Sequence, residues 1–447
     1  MKRIHIIALI ASLLLCAGAS AQSFRSGYFL ENYVHGYRIN PAQINQKSFA
    51  SLLLGNIELQ NNSTFGMSTL LFPRNGKVVT GFNSAVTAQD FMAALPTRVG
   101  MSMDETINIL SFGIREKKPV MHTFEVNVRV LTGMGLPKEL FAFLKQGGEQ
   151  TYDISGINVN VAAIGDIVYG HARRITDQIT VGARVHFLVG AISARAYSAN
   201  SNITMGAQET TLNSDIYLQT SGLLKLSTTA DGNLDTQNIK FNGNPIGGFG
   251  GGLDLGVEYE PLEDLKVMFS ITDLGFIAWK NTTNLQASGT VKYTGTDIKY
   301  ENGSVQTDFE AVLEKLKESI HFHEGANPTY TEFMPFNIAL GARYKMPFYK
   351  PLSAGLFSTV HIAGLSTWYD LRLGVTFTPA YILSLSTNIG YGTFGPTFGG
   401  ALNLHLGPVN LIAGADSFLG NMGKINGAPV PLKGFVMNAH LGLGFTF

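Results

Sequence analysis

Ionisable side chains recur at every second position along several stretches of this 447-residue chain. Glu125 and Arg129 are interleaved with Val126, Val128 and Val130, and Arg184 and His186 with Val181, Ala183, Val185 and Phe187. Asp254 and Glu258 alternate with Leu253, Leu255, Val257 and Tyr259; Arg343 stands between Ala342 and Tyr344, and Arg372 between Leu371 and Leu373. His405 and His440 repeat the pattern near the carboxyl end, between leucines and alanines. Residues i and i+2 of a strand share a face, so these ten groups, of both signs, are expected on one side of a sheet whose other side is apolar. In an enclosed interior they would either pair into a network that fills the space or form a polar constriction that selects what passes.

Other chemistry is weaker in this sequence. Asp254 and Asp273 fall on what read as neighbouring strands and could make a carboxylate pair for acid–base work. Each opens an Asp-Leu-Gly triplet, with Gly256 and Gly275, and such a triplet reads more readily as a turn or bulge. His321 and His323, flanked by Glu318 and Glu324, resemble metal ligands but lack a third ligand of defined geometry, and they also suit the carboxyl end of a preceding helix. No Gly-x-Ser-x-Gly elbow and no His-Glu-x-x-His occurs. Catalytic, cofactor and metal residues are therefore left unassigned, and the chain is read as a non-enzyme, with an outer-membrane hydrolase as the remotest alternative.

The elements that must position these residues are strands. About fourteen period-2 segments are expected, an even number suiting a bacterial barrel. Short turns such as Thr378-Pro379 and Gly407-Pro408 separate the late ones, whereas polar stretches at 73–104, 198–245 and 280–333 read as long loops. The last strand sets Phe435, Met437, Ala439, Leu441, Leu443, Phe445 and Phe447 on one face and Val436, Asn438, His440, Gly442, Gly444 and Thr446 on the other. Lipid outside and a wetter lumen inside demand that alternation. Three stretches break it: a capping box at Thr307–Glu310 leading a helix through Phe309, Val312, Leu313, Leu316 and Ile320; a short helix from Leu136-Pro137 through Leu140, Phe141 and Leu144 to Gly147; and a turn at 88–94. Trp279, Trp368, Tyr369, Tyr381 and Tyr391 lie near strand ends, where an interfacial aromatic girdle is expected.

Composition agrees. Charged residues make up 14% of the chain, against about a quarter in soluble proteins, while Gly reaches 50 residues and Phe 29. Lys2, Arg3, the apolar Ile4–Leu15 run and Ala19-Ser20-Ala21 read as a signal peptide over 1–21. Leu15 before Cys16 does not suit a lipobox, so cleavage would leave a mature chain without cysteine. The balance of 32 basic and 32 acidic residues leaves no basic field for nucleic acid. No later apolar run is long enough for a transmembrane helix, so membrane entry would need a closed barrel.

A paired motif carries a resemblance. Phe249-Gly250-Gly251-Gly252-Leu253-Asp254-Leu255-Gly256, with Tyr259, is followed by Asp273-Leu274-Gly275-Phe276-Ile277-Ala278-Trp279. It resembles a family of Bacteroidota outer-membrane proteins of unknown function, distantly similar to long-chain fatty-acid transporter (FadL-like) barrels and to barrels of type IX secretion. Asn40-Pro41-Ala42 resembles an amino-terminal element of those relatives, and Asp416, ahead of Asn421, an aspartate near their penultimate strand. The resemblance implies a fold and a compartment but no established activity.

The expectation is an all-β transmembrane antiparallel barrel over 49–447, with short loop helices and an amino-terminal plug segment at 22–48 containing Asn40, Pro41 and Ala42. It places the chain in the outer membrane, in contact with lipid and with the barrel assembly machinery through the strand ending at Phe447. Passive transport of small or hydrophobic molecules is the leading function. A non-transporting docking or assembly barrel, for example in protein secretion, is the alternative.

Overall fold

The computed structural model describes residues 24–206, 209–235, 237–294, 298–301, 304–307, 321–326, 329–364, 367–418, 422–425 and 428–447. The expected signal peptide, the 308–320 helix, Glu318 and Asn421 lie outside the described residues.

Fourteen antiparallel strands close into a barrel. They are β1 (Phe49–Ser63), β2 (Arg98–Arg115), β3 (Val120–Pro137), β4 (Asn158–Arg174), β5 (Ile179–Ser198), β6 (Gly248–Leu262) and β7 (Leu265–Thr294), then β8 (Phe336–Lys345), β9 (Leu352–Ile362), β10 (Trp368–Ala380), β11 (Leu383–Gly392), β12 (Gly395–Leu406), β13 (Val409–Phe418) and β14 (Phe435–Thr446). Pairing of Phe49 with Thr446 and of Ser63 with Phe435 joins the first strand to the last, so no edge is left to satisfy. Turns at 116–119, 175–178, 263–264, 346–351, 381–382 and 407–408 gather at one rim, and the remaining connections, most of them longer, gather at the other.

The alternation works as a wall. Outward Phe112, Leu253, Phe276, Leu340, Leu371, Leu373 and Leu441 are exposed, whereas inward Glu125, Asp254, Arg372 and His440 are buried. Leu373 lies beside Leu356 and Ile389, both also exposed, within an apolar belt. Arginine there would put a charge into hydrocarbon, so Leu373→Arg is expected to cost about 2–4 kcal/mol, read as a shift in denaturant unfolding of the barrel in lipid vesicles.

Three differences from the expectation concern the long-loop rim. Within 280–333, β7 continues to Thr294 as a 30-residue strand. Within 198–245, the strand Glu209–Gly222 pairs with both β5 and β7, directly above β6. The wall strand is thus split, with residues 223–247 inserted at its middle. The two halves meet so closely that a Cβ on Gly247 would lie 2.5 Å from the Gly222 nitrogen, and Gly222 has φ +80°. Only glycine fits both positions, and glycine content alone does not reveal such a junction. Within 73–104, β2 begins at Arg98 and residues 88–94 form a helix rather than a turn. That helix, α1 (Ala88–Ala94), is capped by the Thr87 hydroxyl accepting from the Asp90 amide at 3.0 Å. A second helix, α2 (Lys138–Gln146), stops at Gly147 with φ +58°, as the sequence leads one to expect. Together with Phe65, Phe72, Val86, Leu95, Val99 and Met101, their residues Phe91 and Phe141 build a small apolar core above the barrel.

Candidate functional site

Before the first strand, the chain from Phe24 to Ser48 folds back into the barrel. Two short 3-10 turns, Arg25–Phe29 and Gly36–Arg38, compact it. Its aromatic side chains lie against the inner wall: Phe24 stacks on His440 at 4.6 Å, Tyr28 on Phe357 at 4.7 Å and Tyr37 on Phe49 at 5.6 Å. Space for them comes from missing side chains in the strands. A Cβ on Gly414 would meet Phe24, one on Gly341 Tyr28, one on Gly374 Phe29, one on Gly256 Asn40, and one on Gly182 Pro41. These inward glycines are the footprint of the segment.

Polar contacts hold it at three levels. Near the long-loop rim, Arg25 donates to Asp370 at 2.8 Å and its backbone amide to Asp416 at 2.9 Å. Arg372 bridges the same two carboxylates, at 2.6 and 2.8 Å, and also donates to Asn388. At mid-height, Arg38 donates to Glu125 at 3.1 Å, Glu58 at 3.3 Å and Asn127 at 3.0 Å. Lower down, Asn40 donates to the Val257 carbonyl at 3.1 Å while its Oδ1 accepts from the Ala42 amide at 3.1 Å, and Arg343 donates to the Leu30 carbonyl at 3.1 Å. Burial removes water as a competitor, so each such charge depends on its partner.

Mid-lumen charges extend this into a network. Arg184 spans Glu125 at 2.8 Å and Asp254 at 2.7 Å. His186 faces Asp166 with Nδ1 at 3.0 Å and Asp254 with Nε2 at 3.1 Å. Arg129 donates to Asp273 at 2.6 Å, with Asp104 and Asp166 each at 3.8 Å. The Asp-Leu-Gly pair has a backbone role here. Asp254 on β6 opposes both Thr272 and Asp273 on β7, a bulge in which Asp273 takes φ +63° and its amide donates to Asp254 at 2.6 Å. At this bulge β7 changes partner, from β8 up to Thr272 to the strand Thr329–Phe333 from Phe276 onward.

Glu125, Arg129, Arg184, His186, Asp254 and Asp273 therefore converge, with Gly256 under the segment and Gly275 in the bulge strand. Arg372 belongs to the separate cluster near the long-loop rim. His440 joins the segment through Phe24 and lies 3.7 Å from Glu58. Glu258, paired to Lys266 at 3.0 Å, stays near the short-turn rim with Arg343 and His405, around a cavity of about 140 Å³ also lined by Tyr28, Glu31 and Lys47. A second cavity of about 40 Å³ lies at mid-height between the segment and the wall, lined by Phe24, Tyr33 and Arg38 on one side and by Glu125, Arg129, Asp166 and His186 on the other.

The tryptophans correct the girdle expectation. Trp279 and Trp368 are fully buried inside the barrel, Trp279 beside Ala162, Ile164, Leu188 and Ile277, and Trp368 under the Arg25 guanidinium at 4.9 Å. Tyr369 and Tyr391 are exposed on the outer side, whereas Tyr381, in the turn after β10, lies against inward His405 at 4.5 Å and lines the cavity at the short-turn rim. Trp279 owes its inward facing to the register shift at Asp273, which alternation along β7 does not reveal, whereas Trp368 shares the parity of inward Arg372 on an unbroken strand. Sequence reasoning also missed Arg25, Arg38, Glu58, Asp104 and Asp370. Asp166 shares the inward face of β4 with buried Ile164 and Val168, opposite exposed Ile167 and Tyr169, so alternation of polarity does not single it out.

Among solved structures, the chain is similar to the toluene transporter TbuX of Ralstonia pickettii, at 10% identity over 92% of this chain and 93% of that one, with a TM-score of 0.45. It is also similar to the toluene transporter TodX of P. putida (12% identity, 91% and 92% covered, TM-score 0.43) and to a FadL homologue of Pseudomonas aeruginosa (11%, 94% and 96%, 0.46). Likeness this distant carries no information on activity. No curated protein matches the chain. A family model described as a family of unknown function, DUF5723, matches residues 41–416.

Proposed function

Since the chain belongs to DUF5723, a family of unknown function, its activity has to be read from its own geometry, and we propose that it is an outer-membrane barrel serving as a gated route for small, mainly apolar molecules, with residues 24–48 as the gate. The observation that carries this reading is that the segment separates two cavities, one at the short-turn rim and one at mid-lumen among the charged side chains of the wall. A wall with inward glycines shaped to a removable strip of chain suits a closure that can leave. Above the charged layer, Leu131, Ala162, Ile164, Leu188, Ile277 and Trp279 give the upper lumen an apolar lining, which favours an apolar cargo on the way in. The short-turn rim is then periplasmic, and the strand ending at Phe447 is what the assembly machinery would read.

The test is reconstitution in liposomes, with solute swelling measured beside binding of a fluorescent fatty acid. Saturable binding with little swelling by the intact protein supports a gated apolar route. An absence of both signals sinks the transport reading. A specific feature favours a second reading in that event. The small core above the barrel and the exposed Val78, Phe82 and Phe241 offer a surface for docking another protein.

A further inference from the structure

The middle of the lumen carries more negative charge than its cations balance. Among the described residues, Glu58, Asp104, Glu125, Asp166, Asp254 and Asp273 gather there with three guanidiniums, Arg38, Arg129 and Arg184. Counting His186 and His440 as cations still leaves the carboxylates in excess. Excess charge away from water is costly unless an ion compensates it.

We infer that His186, Asp254 and Asp273 form a binding site for a divalent transition-metal cation of the zinc type. Ligand atoms of these three residues lie within 4.8 Å of one another, a spacing that small side-chain movements close onto one ion. Asp166 faces His186 Nδ1 at 3.0 Å, the outer contact that orients a ligating imidazole and aims its Nε2 at the metal. His186 Nε2 is buried and points to Asp254.

Asp104 supplies an independent sign of a missing cation. It is 6% exposed, neither carboxylate oxygen has a hydrogen-bond partner, and the nearest guanidinium nitrogen, on Arg129, is 3.8 Å away. Buried carboxylates are almost always satisfied. Arg129 serves Asp104, Asp166 and Asp273 at once, so one more positive charge beside Asp273 would relieve the whole group. One imidazole with carboxylates suits zinc and its neighbours; calcium and magnesium prefer all-oxygen sets.

Among the described residues a rival zinc site is His122 with His171, whose Nδ1 atoms lie 3.5 Å apart, with Glu116 3.1 Å from His122. The test therefore uses the full-length barrel in detergent with His122→Gln and His171→Gln, stripped with chelator and titrated with Zn²⁺ alone, Ca²⁺ and Mg²⁺ serving as comparisons. One Zn²⁺ per barrel is expected, weakened about 100-fold by His186→Gln and about 10-fold or more by Asp166→Asn. Heat-modifiable gel mobility confirms that each variant is folded. Should His186→Gln not fold, zinc absorption spectroscopy on the starting protein decides. A shell of one imidazole plus oxygens supports the site, and a shell with two imidazoles or none overturns it. Sub-stoichiometric zinc, or affinity unchanged in folded His186→Gln, overturns it as well.

Discussion

Deleting residues 24–47 is expected to turn a barrel that supports little solute swelling into an open pore, raising the initial swelling rate of proteoliposomes at least about 10-fold, because fourteen strands enclose a lumen that their own inward side chains do not fill. In the intact protein, Phe24, Phe29, Tyr33 and Tyr37 occupy that space, each almost wholly buried. A point version of the experiment uses the glycine seats. A Cβ on Gly182 would lie 2.1 Å from the Pro41 carbonyl oxygen, and one on Gly256 would lie 2.0 Å from Asn40 Oδ1. Gly182→Val and Gly256→Val should therefore lift the Asn40-Pro41-Ala42 corner and give a smaller rise in swelling, while Gly289→Val, on the upper part of β7 with nothing within 4 Å, should not change it. A folded deletion variant with wild-type swelling would show that something other than this segment closes the barrel.

Asp416→Ala is expected to destabilise the protein by about 3–5 kcal/mol, because it leaves two buried guanidiniums with one carboxylate between them. Asp416 accepts from Arg372 at 2.8 Å and from the Arg25 amide at 2.9 Å, and Ser26 also donates to it. Arg25 and Arg372 are both fully buried, so neither can recover its lost partner from solvent. Denaturant unfolding in detergent micelles measures the loss, and limited proteolysis of residues 24–48 shows whether the segment is released first. An internal standard is the exposed pair Arg74–Asp90, at 2.6 Å, where Asp90→Ala should cost no more than about 1 kcal/mol. Equal effects at the two sites would mean that the lumen is wet enough to screen the inner cluster.

The wall was the legible part. Alternation located the strands and the inward face of Glu125, Arg184, Asp254 and His440, since along those strands most inward positions carry a polar group or are small. Alternation could not assign meaning to the small ones. Gly182, Gly256, Gly341 and Gly374 read as the wetter face of a strand, yet each is vacant because another part of the chain lies on it. Arg25 and Arg38 escaped notice for a related reason. They belong to a segment without periodicity, and the partners of Arg25 are more than 340 residues away. The convergence of His186, Asp254 and Asp273 was hidden by the bulge, which shifts β7 by one residue and brings a second carboxylate to the inner side.

The long reach of the first residues constrains the order of assembly. Arg25, Ser26 and Phe24 find their partners on β10, β13 and β14, strands that are translated last. Ser48 stands at the short-turn rim, where its carbonyl accepts from the Phe447 amide at 3.0 Å, so the segment hangs from the rim where the first strand begins and the last one ends. Contacts of such sequence separation form late, because the intervening chain must be ordered first. Complete docking of the segment therefore requires the final strand, since Phe24 stacks on His440 of β14. A barrel halted before β14 closes would keep a loose, protease-sensitive tail, giving the cell a chemical mark that distinguishes finished molecules from unfinished ones.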